Sequence, residues 1–166
     1  MAVALALPVL IVVLMLQTVV VSTLPLLSGF ADLILLVLVA WALQERAKSA
    51  LAWAAIAGAM VSYVSASPLG VLFAGYLIVT LIVRFFRGRV WQTPILSMFL
   101  MTFIGSIITQ GLVMTVLIVQ GTPLPLLDSV NLVVLPGTLL NLLLALPVYA
   151  IVSDMARWVY PEEVEV

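Results

Sequence analysis

The basic side chains of this chain all fall into three short gaps between long apolar stretches. Lys and Arg are retained on the cytoplasmic side when a membrane protein inserts. If the apolar stretches are six membrane spans, the three gaps lie on one face of the membrane. The pattern therefore predicts a polytopic membrane protein with both termini in the cytoplasm. The residues concerned are Arg46, Lys48, Arg84, Arg87, Arg89 and Arg157.

The tryptophan residues follow the same pattern, since they flank or occupy these gaps. Trp favours the interface between membrane and water. We therefore expect Trp41, Trp53, Trp91 and Trp158 to lie on the cytoplasmic side.

Composition excludes the common soluble classes. Residues of the AVILMFWYC group make up 66% of the chain and charged residues 8%, against about 45–50% and 25% in a soluble domain. The net charge of −1 gives no electrostatic basis for binding nucleic acid. The chain has no cysteine, which excludes disulfides and thiolate metal sites.

Length and turn residues place the spans. Residues 1–43 are almost entirely apolar, and one helix of that length would be about 65 Å long, twice the hydrocarbon core. The chain must therefore fold back near Pro25 and Gly29. The opening residues lack a basic region and a small-residue cleavage site, which favours a retained span over a signal peptide. We predict an all-α, single transmembrane domain with spans at 2–23, 30–44, 49–66, 71–83, 94–119 and 129–152 and a short cytoplasmic tail at 153–166.

Small and polar residues recur at helical spacing in two of these spans. Span 3 has a small residue at every fourth position, namely Ala54, Gly58, Ser62 and Ala66. Span 5 has one polar stripe, formed by Thr102, Gly105, Ser106, Thr109 and Gln110. Close backbone approach and hydrogen bonds between helices are the favoured interpretation. The alternative for the stripe is the wall of a polar cavity that holds a small solute.

Polar residues near the ends and middle of spans suggest further contacts. Pro136, Asn141 and Pro147 indicate a bent sixth helix that faces the bundle, because a mid-membrane Asn seeks a partner on another helix. Asp32 and Asp128 precede or open spans near the outer interface, where a carboxylate can cap a helix N-terminus. Contact with a partner on the outer face is the alternative for both carboxylates.

Catalytic signatures are missing from the sequence. There is no histidine or cysteine, and we find no nucleophile elbow, no P-loop and no pair of carboxylates inside a span. We therefore expect no catalysis, no cofactor and no bound metal. The remaining classes of function are a scaffold, a partner-binding subunit and a substrate-binding membrane subunit without its own energy source.

Three segments of the chain together resemble the rod shape-determining protein MreD family. The first, residues 16–36, contains Gln17, Leu24-Pro25 and Gly29-Phe30-Ala31-Asp32-Leu33, with Ala31 where the family usually has Pro. The second, residues 58–76, ends a Gly-rich span in Ser67-Pro68-Leu69-Gly70, and Ser62 stands where the family commonly has Asp. The third contains Pro136-Gly137 and Asn141, with Pro147 following.

The resemblance implies a non-catalytic protein of the bacterial inner (cytoplasmic) membrane. It implies binding to the membrane helix of MreC, indirect association with MreB and with a SEDS polymerase and its class B penicillin-binding protein, and a role in regulating peptidoglycan synthesis and cell shape. The residues predicted to contact partner helices are Asp32, Gly58, Ser62, Gly105, Ser106, Thr109 and Asn141.

The MreD family is also similar in fold to the substrate-binding subunits of energy-coupling-factor vitamin transporters. The alternative function is therefore a membrane subunit that binds a small, vitamin-type solute. A holin-like or simple channel protein is disfavoured, because the spans are diverse and bent.

Overall fold

The computed structural model describes residues 2–19, 29–65, 67–68, 70–87 and 93–160. Over these ranges the regular structure is helical and no β-strand is present, which confirms the all-α prediction. The helices are α1 (Ala2–Val19), α2 (Leu33–Leu43), α3 (Ala50–Val64), α4 (Val71–Phe86), α5 (Pro94–Val119) and α6 (Leu126–Val159). Helix α6 contains a π-helical turn at Val130–Val134.

Two of these helices, α5 and α6, are long and apolar enough to cross a membrane. The other four are apolar but shorter. The described part of the chain thus has two candidate membrane-spanning helices, and the arrangement of six spans stays a prediction.

Helix boundaries follow the predicted spans with informative differences. Helix α5 has the predicted limits, because Pro94 opens its first turn, a position where proline is favoured. Helix α4 continues to Phe86 and so includes Arg84. Helix α6 continues to Val159, beyond the predicted end at 152, and Arg157 pairs with Asp154 one turn earlier. The helix thus includes residues 153–159 of the predicted tail, and residues 161–166 lie outside the described ranges.

Helix α2 occupies the centre of the bundle. Residues Ile34 to Ala42 are all buried, and the helix contacts α1, α3, α4, α5 and α6. A helix that is apolar all round is stable only when other elements cover it on every side. Its uniformly apolar sequence therefore explains its central position.

The described basic side chains lie at one end of the bundle. Arg46 donates a hydrogen bond to the carbonyl oxygen of Tyr160 at 3.2 Å, and Arg84 donates to that of Lys48 at 3.4 Å. Arg87 donates to the carbonyl oxygen of Gln44 at 2.7 Å. These bonds join the ends of α2, α4 and α6. We call this region the basic end; it comprises Arg46, Lys48, Arg84, Arg87 and Arg157, while Arg89 lies outside the described residues.

Two tryptophans pack inside the bundle close to this end. The rings of Trp41 and Trp53 stack with centroids 4.3 Å apart, and both side chains are fully buried. Stacking within the core therefore covers both rings, and their placement on the cytoplasmic side stays a prediction. Trp158 is 78% exposed, and Trp91 lies outside the described residues.

Candidate functional site

Asp32 caps the N-terminus of α2, as the sequence predicts. Its Oδ1 atom accepts a hydrogen bond from the backbone N–H of Leu35 at 2.9 Å. Its Oδ2 atom accepts a second bond from the hydroxyl of Tyr76 in α4, also at 2.9 Å. The carboxylate therefore joins the start of α2 to α4.

Asn141 connects this cap to two further helices. Its Oδ1 atom accepts a hydrogen bond from the backbone N–H of Asp32 at 2.7 Å, and its Nδ2 atom donates to Oγ of Ser106 at 2.8 Å. Gln17 in α1 accepts a bond from the backbone N–H of Ile34 at 3.2 Å. We call these five residues, Gln17, Asp32, Tyr76, Ser106 and Asn141, the Asp32 cluster.

The Asp32 cluster lies at mid-height in the bundle. Helix α2 has 11 residues, so its first turn is about 16 Å from the basic end at 1.5 Å per residue. Ser106 is at the midpoint of α5. Helix α2 therefore begins about halfway along α5, and the position of Asp32 relative to the outer interface of a membrane stays a prediction.

Close packing of glycines explains why the chain reaches this depth. A Cβ atom on Gly29 would lie 2.5 Å from the backbone nitrogen of Gly137, so the segment before α2 rests directly on the backbone of α6. Real Cβ atoms essentially never approach another atom so closely. Only glycine therefore fits at position 29 without a shift of the backbone. This contact sets the height of Asp32.

The small-residue faces predicted for spans 3 and 5 pack within the chain. A Cβ atom on Gly58 would lie 2.7 Å from Cα of Phe73 in α4, and one on Gly105 would lie 3.0 Å from Cγ1 of Val79. The hydroxyl of Thr109 donates to the carbonyl oxygen of Gly105 at 2.9 Å. Oγ of Ser62 is buried without a hydrogen-bond partner.

The structure thus brings some predicted site residues together and separates others. Asp32, Ser106 and Asn141 meet in the Asp32 cluster, and Thr109 lies one turn beyond Ser106. Gly58 and Ser62 lie on α3, outside the cluster. Their role as contacts to a partner chain stays a prediction.

Sequence reasoning missed Gln17 and Tyr76 as members of the site. Both belong to the segments that carry the MreD resemblance, and each places one polar group in an apolar helix. An isolated polar group within an apolar span was the available signal, since such a group needs a partner inside the bundle.

Two adjoining cavities lie beside Asp32. Their volumes are about 360 Å³ and about 240 Å³. Asp32, Leu72, Thr109, Gln110 and Val133 line both of them, so we treat them as one chamber. Among the residues that the structure describes, no Lys or Arg lines either cavity. The oxygen Oε1 of Gln110 is buried without a hydrogen-bond partner.

A third concave surface is entirely apolar and lies between α1 and α6. It encloses about 490 Å³, and α1 contributes Leu5, Val9, Val12 and Leu16 to one wall. The opposite wall includes Val148, Ile151 and Met155 of α6, with Leu33 and Val37 of α2 between them. We call this surface the α1–α6 groove.

Within the described ranges, no three His, Cys, Asp or Glu side chains come together. No family model matches the chain, and no curated protein or solved structure matches it. The features that bear on function are therefore the Asp32 cluster, the chamber, the α1–α6 groove and the segments that resemble MreD.

Proposed function

We propose that this chain is a non-catalytic, multi-pass subunit of the bacterial cytoplasmic membrane that acts like MreD. It binds the membrane helix of MreC and, through that complex, helps to regulate peptidoglycan synthesis and cell shape. Its association with MreB and with the polymerase and penicillin-binding protein is indirect. The partner is named by the sequence resemblance, whose three segments supply Gln17, Asp32, Tyr76 and Asn141 to one cluster.

The α1–α6 groove is the observation that carries this proposal. Leu5, Val9, Val12 and Leu16 recur every three or four residues along α1, which is the spacing that one face of a helix presents to a second helix. Lipid tails are as apolar as leucine, so helices associate in a membrane through packing rather than through the hydrophobic effect. A concave, wholly apolar groove gives a single partner helix more packing contact than a convex surface does.

The arrangement of six spans with both termini in the cytoplasm belongs to the same proposal. The basic end supports it, because helices α2, α4 and α6 all finish there with Lys or Arg nearby. A common face for basic residues is what the retention of Lys and Arg on the cytoplasmic side predicts.

Co-purification with MreC tests the groove. The chain and a tagged MreC are expressed together and extracted in a mild detergent. Val12→Trp and Ile151→Trp each place a large ring in the groove at positions that are 55% and 69% exposed, so folding is retained. We expect each to reduce the yield of complex at least about fivefold, a loss of about 1 kcal/mol of binding energy.

Leu143→Trp is the matched control. Leu143 is also in α6 and is 72% exposed, but it does not line the groove. We expect this variant to bind MreC as the unmodified chain does. Equal yields for all three variants would reject the groove as the docking surface, and failure of the unmodified chain to bind MreC would reject the function.

A second candidate function is favoured by the chamber beside Asp32. A cavity with a few polar groups in an apolar wall is typical of a small-molecule site, and this fits a substrate-binding subunit of a vitamin-type transporter. Identification of the proteins that co-purify with the chain distinguishes the two functions. Co-purification of MreC supports the first function, whereas co-purification of an ATPase with a coupling subunit supports the second.

A further inference from the structure

The chamber beside Asp32 carries a negative group that no described basic side chain faces. Ionisable side chains inside a membrane protein normally pair with one another or mark a functional path. Here the described Lys and Arg residues are at the basic end, about 16 Å away along α2. The partners of the carboxylate are neutral, namely the Leu35 N–H and the Tyr76 hydroxyl.

The same carboxylate retains capacity to accept hydrogen bonds. A carboxylate has about four lone-pair positions, and the bonds from Leu35 and Tyr76 occupy one on each oxygen. Gln110 adds a second acceptor to the chamber wall, because its Oε1 atom is buried without a partner and its side chain lines both cavities. A ligand that donates hydrogen bonds and carries positive charge would satisfy both groups.

The other residues that line the chamber indicate the chemistry of the uncharged part of such a ligand. Leu14, Val61, Val64 and Leu72 line the larger cavity, so the part of the ligand away from its charge is apolar. The absence of Lys and Arg from the described part of the lining disfavours phosphate groups, which bind proteins through basic side chains or helix N-termini. The nearby N-terminus of α2 is already capped by Asp32. Lipid-linked pyrophosphates are therefore unsuited to this chamber.

We propose that the chamber beside Asp32 binds a small molecule that carries a protonated amine on an apolar body. The ammonium group donates to the carboxylate of Asp32 and to the amide oxygen of Gln110, and the body packs against Leu14, Val61 and Leu72. The proposal deepens the second candidate function, which rests on the same chamber. It is independent of the first, since the chamber and the α1–α6 groove are separate surfaces. Loss of one kind of binding leaves the other measurable.

Thermal unfolding of the purified full chain in detergent tests the proposal with four probes. 2-Phenylethylamine carries the ammonium group, 2-phenylethanol is its neutral analogue, and 3-phenylpropanoate is its anionic analogue. O-Phosphoethanolamine represents the amine of a lipid headgroup with its phosphate. We expect 2-phenylethylamine alone to raise the unfolding temperature in a concentration-dependent way, because a ligand that binds only the folded state stabilises it.

Two variants link binding to the named side chains. Asp32→Asn keeps the helix cap, since Asn caps about as well as Asp, but removes the charge. We expect this variant to weaken the binding of 2-phenylethylamine about ten- to hundredfold, the range for a charge-assisted hydrogen bond. Gln110→Met removes the second acceptor at similar volume and is expected to weaken it several-fold. Asp128→Asn is the matched control, because Asp128 is an exposed carboxylate of α6. It should leave the binding of 2-phenylethylamine unchanged.

Several results would overturn the proposal. One is that 2-phenylethylamine does not stabilise the folded chain up to millimolar concentration. Another is that 2-phenylethanol, 3-phenylpropanoate or O-phosphoethanolamine stabilises it equally. A third is that the Asp32→Asn variant still binds the amine. The proposal would also be overturned if the chain bound no amine and the Asp32→Asn variant no longer co-purified with MreC. The carboxylate would then face a partner chain.

Discussion

Replacing Asn141 by leucine removes two hydrogen bonds from the centre of the bundle. Asn141 is 1% exposed, and its side chain joins the backbone N–H of Asp32 to Oγ of Ser106 at 2.7 Å and 2.8 Å. Leucine has a similar size, so the substitution leaves the packing volume nearly unchanged. The effect therefore comes from the two polar groups that lose their partner.

The size of the effect follows from the number of bonds. Hydrogen bonds between helices inside membrane proteins average about 0.6 kcal/mol and reach about 1.7 kcal/mol. Two bonds give about 1–3 kcal/mol, and the buried N–H of Asp32 places the expected loss near the middle of that range, since an orphaned buried donor is costly. A loss of about 2 kcal/mol lowers the unfolding temperature by about 4–8 °C for a chain of this size.

Thermal unfolding of the purified protein in detergent measures this loss. Asn131→Leu is the matched control, because Asn131 is in the same helix but is exposed. The double variant with Ser106→Ala separates the two bonds. Since Ser106 and Asn141 share one bond, we expect the double variant to lose less than the sum of the single losses. An unfolding temperature for Asn141→Leu equal to that of Asn131→Leu would refute the inference that these bonds hold the start of α2 in place.

Three further predictions concern packing and topology. Gly58→Ala should destabilise the chain by about 1–3 kcal/mol through overpacking against Phe73, whereas Gly111→Ala, whose added Cβ would meet open space, should be neutral or stabilising; equal unfolding temperatures would contradict this. Trp53→Ala should lose about 3–5 kcal/mol because the ring stacks on Trp41, while Trp158→Ala should change little; similar losses would show that the stack is unimportant. In a chain without native cysteine, Lys48→Cys should react with a membrane-impermeant reagent only from the cytoplasmic side and Thr122→Cys only from outside; outside labelling at Lys48 would reject the topology.

The features that depend on local sequence could be predicted. The start of α5 at Pro94 and the cap at Asp32 follow from residues within one helical turn. The inward orientation of Gly105, Ser106 and Thr109 follows from their helical spacing, and the structure confirms that all three are buried. Clustering of the described basic residues at one end follows from their positions between apolar stretches.

The depth of Asp32 could not be predicted, because it depends on contacts between distant parts of the chain. Gly29 rests on Gly137, and the N–H of Asp32 bonds to Asn141, which is 109 residues away. No local pattern reports such a contact. The stacking of Trp41 on Trp53 was missed for a similar reason, since their position near a basic gap favours an interface over a buried pair.

The late start of α2 explains why a polar cluster exists at mid-height. The first N–H groups of a helix have no partners within the helix, and here side chains from other parts of the chain bond them. Asn141 bonds the N–H of Asp32, Gln17 that of Ile34, and Asp32 that of Leu35. Capping accounts for these polar groups, but it does not account for the charge, because asparagine or serine would cap equally well. A carboxylate at this depth is unfavourable unless something neutralises it, and this is the role that we propose for an ammonium group in the adjoining chamber.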